Sequence, residues 1–333
     1  MRNFYDVIII GAGASGLECA RNLANSELKV LVIEKKHTAK GRICAGGVTA
    51  NDLEFFPERL LNFPFKRLLI HYDNFEIFFP KNRGFVSTIE REKLAKYQLS
   101  FIENSDNIDL LFGTKVEKIG SNNLLLNSGE KLSFRFLVGA DGPASLVRKH
   151  LKLKSEKVMI AFQYLIPERF KNFEVYFDDR LFGRGLLWIF PHKDYTSIGC
   201  GTEIKDISPR KLKENLEKWL KEHDITIEDL KIQAEILNYD YRGYRFGNIF
   251  LAGEAAGLTS GLSGKGIYPA LLSAKQIAND ILGKSNKNML RDWLKQKKLQ
   301  EMLIFALKNP KLKKVALKLL LSKFEDLMVK ILS

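Results

Sequence analysis

The chain has 333 residues, 45% of them hydrophobic, and a formal net charge of +14, which is enough apolar content for two domains with their own cores. Three cysteines (Cys19, Cys44, Cys200) without CxxC spacing, and five histidines without an HExxH-like cluster, argue against a disulfide framework and a metal site and fit a reducing, cytoplasmic setting. No signal peptide is evident, and no window approaches the roughly 18 consecutive apolar residues of a spanning helix.

The first elements alternate. YDVIII (5–10) reads as a strand, SGLECARNLANS (15–26) as a helix and KVLVIEKK (29–36) as a second strand. This βαβ unit implies a parallel sheet with a right-handed crossover. Between the first strand and the helix, Gly11, Gly13 and Gly16 form GxGxxG, with Ala14 and Ser15 inside the turn. Gly11 makes the tight turn, Gly13 lets the backbone approach a pyrophosphate, and Gly16 allows close helix–strand packing. The helix N-terminus then faces the negative charge. Glu34 ends the second strand, beside Lys35, where a carboxylate can accept both ribose hydroxyls of an adenosine; it disfavours a 2′-phosphate.

From 60 to 85 the texture turns to short β-rich runs, and EREKLAKYQLSFIEN (90–104) follows as a helix opened by Arg91. IDLLFGTKVEKI (108–119) and NNLLLNSGEKLSFRFLVGADG (122–142) read as strands, the last one buried and ending in a tight turn that holds Asp141. Residues 155–240 are again β-rich, interrupted by the helix SPRKLKENLEKWLKEH (208–223). Strand-turn-helix texture returns at 247–280. The fold expected is an α/β, Rossmann-like nucleotide domain (1–60, 86–155 and 241–283) interwoven with a mainly antiparallel substrate domain (61–85 and 156–240). A basic helical segment (284–333) closes the chain.

The second glycine-rich stretch is GEAAGLTSGLSGKGI (253–267), with Gly253, Gly257, Gly261, Gly264 and Gly266 between a strand and a helix. GxGxxG does not separate NAD from FAD. An extended FAD needs a second cradle at its ribityl and ring end, where a helix N-terminus near the flavin N1–C2 oxygen edge favours the anionic reduced form. NAD enzymes have no such need.

With Glu34, GADG (139–142) and GEAAG…GKGI, the sequence resembles the FAD-binding fold of the p-hydroxybenzoate hydroxylase type. GRICAGGVT (41–49) and LLWIFPHKDYTSIGCG (186–201) are similar to two motifs of the geranylgeranyl reductase family. The resemblance covers roughly residues 5–280. It implies cofactor contacts at Gly11, Gly13, Ala14, Ser15, Gly16, Glu34, Lys35, Arg42, Ala45, Gly46, Gly47, Arg91, Val116, Asp141, Gly253, Glu254, Gly261, Gly264, Lys265, Gly266 and Ile267. Glu254 replaces the family's usual aspartate, and Leu186 replaces a motif tyrosine.

The resemblance also implies hydride transfer from reduced FAD to an isoprenoid double bond, with Cys44 as proton donor. That role expects a thiol kept protonated by apolar surroundings; the alternative is a small packed hydrophobe. Leu186, Trp188, Phe190 and Pro191 would shape an apolar tunnel, or equally be ordinary core. A prenyl lipid and an external electron donor, ferredoxin or NAD(P)H, are the partners implied. Rival readings are a flavin monooxygenase, flavoprotein electron transfer to a membrane quinone, and a non-catalytic flavin-binding module. Residues 284–333 carry 13 Lys/Arg against 4 Asp/Glu. They read as a solvated helix with a packed apolar side, or as a surface touching anionic lipid. No nucleic-acid motif accompanies this charge.

Overall fold

The computed structural model describes residues 2–39, 41–71, 76–78, 86–284 and 288–308. The second half of the basic C-terminal stretch, 309–333, and part of the β-rich stretch around 72–85 lie outside the described residues. Among the described residues the α-helices are α1 (Ala14–Leu23), α2 (Arg91–Leu99), α3 (Leu146–His150), α4 (Asp179–Phe182), α5 (Pro209–Glu222), α6 (Ile267–Ile281) and α7 (Leu290–Lys308). None of them is long and apolar enough to cross a membrane.

The first sheet has a parallel core in the order Ile249–Leu251, Lys131–Gly139, Phe4–Ile10, Val30–Glu34, Ile108–Phe112. Ile8 sits between Leu137 and Leu31 in register, so the central strand is flanked by apolar neighbours on both edges. Val7, Ile8 and Ile9 are fully buried, as strands covered on both faces require. Helices α1 and α6 pack against each other. The antiparallel hairpin Val116–Ile119 and Asn123–Leu126 extends the sheet from Lys131–Gly139.

The second sheet runs Gln233–Asn238, Val158–Ile166, Thr196–Glu203, Leu186–Pro191, Phe173–Tyr176, Arg67–His71, Glu76–Phe78. All its pairings are antiparallel except Phe173–Tyr176 with Arg67–His71. That parallel pair joins two segments separated by a hundred residues, which no hairpin could do. Helix α5 covers one face. Ser208 caps it through the Lys211 amide, Pro209 occupies the first turn, and Leu212, Leu216, Trp219 and Leu220 pack on Leu187, Ile189, Ile198 and Cys200. Each such side chain contributes roughly 1.5–3 kcal/mol of burial.

The pleat decides what the other face carries. Along Leu186–Pro191, Leu187 and Ile189 join the α5 core, and Leu186, Trp188 and Phe190 point to the opposite side. Two short strands, Gly47–Thr49 and Val86–Thr88, pair beside this sheet and hold the segment after Glu34 against it.

Candidate functional site

One cavity of about 1620 Å³ opens between the two sheets, at the carboxyl ends of the parallel strands. Both glycine-rich turns border it. Gly11 has φ +104°, and a Cβ there would stand 2.4 Å from the Ala140 carbonyl oxygen. A Cβ on Gly16 would lie 1.8 Å from the Gly11 carbonyl oxygen. Neither position accepts a side chain, so α1 starts hard against the strand ends. The two loops meet at Gly253, where a Cβ would fall 3.3 Å from Ser15 Oγ and 3.2 Å from the Ala270 Cβ.

Helices α1 and α6 begin at the cavity, after Gly13 and Gly266. Neither N-cap residue makes a side-chain cap, which leaves first-turn amides of both helices facing the same space. Glu34 is held in place by its neighbours: Oε2 accepts the Ala12 amide at 2.8 Å and Oε1 the Lys36 amide at 2.9 Å.

The expected site residues do converge. Gly11, Gly13, Ala14, Ser15, Glu34, Lys35, Arg42, Cys44, Ala45, Gly46, Gly47, Arg91, Val116, Asp141, Leu186, Trp188, Phe190, Glu254, Gly264, Lys265, Gly266 and Ile267 all line this cavity. Gly16, Gly253, Gly261 and Pro191 do not. Gly16 packs on the Gly11 loop, and Gly253 sits between α1 and α6. Pro191 is buried at a strand end, its carbonyl accepting the Thr88 hydroxyl at 2.8 Å.

Several side chains behave differently from their sequence reading. Glu254 is already engaged: Arg42 bonds it through Nη1, and holds Glu235 of the second sheet through Nη2 at 2.6 Å. Arg42 therefore ties the two sheets across the cavity. Cys44 is exposed rather than enclosed by apolar groups, and its Sγ accepts the Gly46 amide at 3.3 Å. Asp141 spends one oxygen on α3, Oδ2 accepting the Leu146 amide at 2.6 Å.

Charged groups at the cavity are shifted by burial. Burial pushes the Arg91 guanidinium below its usual value; the nearby Cys44 opposes this and Arg42 adds to it. Burial lowers Lys265 to about 8, against the pull of Asp52. Lys265 donates to the Thr49 hydroxyl at 2.9 Å, and Asp52 accepts the Thr49 amide and hydroxyl. Burial raises the Asp52 carboxyl despite Lys265.

An elongated dinucleotide fits these residues. The Arg91 Nε and Asp141 Oδ1 are buried without a partner among the described residues, and both side chains line the cavity. Buried polar atoms are rarely left so. A Cβ at Gly13 or Gly264 would meet nothing within 4 Å, so the backbone at both loops is bare to the cavity. One acid at one end, two uncapped helix N-termini and a buried guanidinium make a cradle for two phosphates and the groups on either side.

The apolar wall comes from the second sheet: Leu68, Ile70, Phe173, Val175, Leu186, Trp188 and Phe190. Phe190 stacks on Phe173 with ring centroids 4.1 Å apart. The glycine segment presses against this wall, since a Cβ on Gly47 would stand 2.8 Å from the Phe190 ring. Trp188 is pinned by its Nε1–H to Ser197 at 2.9 Å.

The sequence reading missed Glu90 and His192. They lie behind the Cys44–Gly47 segment, bonded at 2.6 Å although 102 positions apart in the chain. Each stands beside a residue that was singled out, Arg91 and Pro191, but nothing local says that they meet.

Comparisons with known proteins agree with this geometry. A family model described as FAD binding domain matches residues 116–282, and one described as Thi4 family matches residues 3–69. An uncharacterized protein of Methanosarcina barkeri is 29% identical over 306 residues, 86% of this chain and 77% of that one. A geranylgeranyl diphosphate reductase of Rhodobacter capsulatus is 28% identical over 290 residues, 80% of this chain and 72% of that one. The fold is shared with a geranylgeranyl bacteriochlorophyll reductase-like protein of Thermoplasma acidophilum, at a TM-score of 0.75 and 20% identity, covering 92% of this chain and 88% of that one.

Proposed function

Because this chain belongs to the FAD binding domain family and is an FAD-dependent oxidoreductase, we propose that it saturates carbon–carbon double bonds of an isoprenoid chain. In this reading Glu34 holds the adenosine ribose, and the first turn of α1 with Arg91 holds the pyrophosphate. Backbone amides of Gly266 and Ile267, with those of Ala45 and Gly47, hold the flavin end. FAD, when reduced, supplies the hydride.

The chain's own residues do the rest. Leu186, Trp188, Phe190 and Phe173 exclude water and align an apolar chain beside the Cys44–Gly47 segment. An isolated alkene has no oxygen to polarise, so a proton must reach one carbon as the hydride reaches the other. Cys44 gives that proton from Sγ, the C=C becomes CH–CH, and the thiolate regains a proton from solvent. Its exposure to the cavity suits both halves of that duty. An external donor, ferredoxin or NAD(P)H, must return two electrons for each turnover.

The observation that carries this reading is an exposed thiol on a glycine segment packed against an aromatic wall inside the FAD cavity. The names of the reductase relatives support it. The test is anaerobic. Protein reduced with dithionite is offered a geranylgeranyl lipid, a quinone, or O2 with an aromatic compound. Reoxidation by the prenyl lipid with a saturated product is expected. Hydroxylated product from O2 and none from the lipid would overturn the assignment. Cys44→Ala should keep FAD and lose prenyl reduction.

A further inference from the structure

The Cys44–Gly47 segment is held from behind by a buried polar network. His192 is 1% exposed and stands between Glu90 and the segment. Its Nδ1 is 2.6 Å from Glu90 Oε1, and its Nε2 is 3.0 Å from the Ala45 carbonyl oxygen. The Ala45 carbonyl only accepts, so the Nε2–H of His192 donates to it, while Nδ1 faces Glu90 Oε1 and the Asn62 amide at 3.2 Å. Glu90 has two further neighbours: Tyr195 donates to Oε2 at 2.8 Å, and the Asn62 amide to Oε1 at 3.3 Å. Tyr195 also stacks on the imidazole, with centroids 4.4 Å apart.

Glu90 is the N-cap residue of α2, yet it makes no side-chain cap. Here its carboxylate is turned to His192 instead. The segment is shaped to meet the ring. Gly46 has φ +73°, and a Cβ there would stand 2.8 Å from His192 Cε1 and 2.6 Å from the Ile89 carbonyl oxygen. The Ile89 amide in turn donates to the Gly46 carbonyl at 2.9 Å.

We propose that the Glu90–His192 pair is a positioning device for the reaction: the imidazole Nε2–H grips the Ala45 carbonyl and so aims the Cys44 thiol and the Gly47 amide into the cavity. His192 and Glu90 act through the segment and do not touch the reacting atoms. The inference rests on the reductase reading for its catalytic consequence, but the grip itself is a property of the protein alone.

The experiment uses FAD-loaded full-length protein with His192→Ala, His192→Gln, Glu90→Gln and the double variant His192→Ala/Glu90→Gln. Amide hydrogen exchange of residues 44–48 is read by mass spectrometry, bound FAD by absorbance, and prenyl reduction as kcat and KM. Losing a hydrogen bond to a charged group corresponds to roughly tenfold or more in an opening equilibrium. Exchange of 44–48 should rise about that much in His192→Ala and Glu90→Gln, with FAD occupancy kept. The kcat should fall by a similar factor while KM stays within twofold. His192→Gln, whose amide still donates, should recover part of both effects, and the double variant should be no worse than His192→Ala. Unchanged exchange and kcat in a folded, FAD-bound His192→Ala would overturn the proposal. So would equal losses in kcat and in FAD occupancy, which a merely structural role produces. If His192→Ala fails to fold, Glu90→Gln decides by the same readouts. If the wild type reduces no prenyl lipid, the reductase reading falls and the exchange measurement still judges the grip.

Discussion

Replacing Arg91 by methionine separates a cofactor contact from a structural cation. The side chain sits at the first residue of α2, and its Nε is buried without a partner among the described residues. A buried, unsatisfied polar atom costs about 1–3 kcal/mol, and a hydrogen bond to a charged group contributes about 1.5–3 kcal/mol. Methionine keeps most of the packing volume and removes the unsatisfied donor. FAD-free Arg91→Met should therefore be as stable as wild type, or more stable by up to about 3 kcal/mol. FAD binding should weaken by about 1.5–3 kcal/mol, roughly 10- to 150-fold in Kd. Flavin fluorescence titration of apoprotein gives the second number, and urea unfolding of the same apoprotein gives the first. A variant that loses more than about 2 kcal/mol without FAD and binds FAD within twofold of wild type would show that Arg91 is structural and refute the reasoning.

Further outcomes follow from the same geometry. Gly47→Ala pushes a Cβ into the Phe190 ring and disturbs its stack on Phe173; it should cost about 1–3 kcal/mol in thermal or urea unfolding. Burial brings the folded-state pKa of Lys265 down to about 8, from an ordinary 10.5. The native state loses that proton first, so stability should rise between pH 8 and 10.5, by up to about 3 kcal/mol more in wild type than in Lys265→Met. Burial pushes Glu90 up, but hydrogen bonds from His192, Tyr195 and Asn62 and the His192 charge win and hold it at about 2, below its ordinary 4.5. Its contribution is fully present above 4.5 and is lost as pH falls towards 2. Acid unfolding of Glu90→Gln should lack about 1–2 kcal/mol of that pH dependence, since solvent screens part of a half-buried carboxylate's interactions.

Much of the architecture was legible because it is local. GxGxxG between two apolar runs, with Glu34 at the second strand's end, makes a βαβ unit from neighbours in sequence. The motif reading named Leu186, Trp188, Phe190 and Pro191 together, and the pleat of the folded strand puts the first three on one face with Leu187 and Ile189 on the other. The pleat also carries Pro191 off the cavity, which the motif reading overlooked. Only a pleat that reaches its partner strand sorts these faces. Cys44 was expected in apolar surroundings because a composition of glycines and alanine carries no sign of what stands opposite. The folded segment leaves the thiol open to the cavity.

The chain's order of residues alone specified the parallel sheet, the two glycine turns and an acid at the end of the second strand, since each needs only a few consecutive side chains. Tertiary structure decided which of these meet. Gly253 reaches Ser15, Arg42 bridges Glu254 to Glu235, and Glu90 finds His192. Each contact closes a loop of roughly a hundred residues or more, and such closures are set by sheet topology and burial, to which short-range pattern is blind.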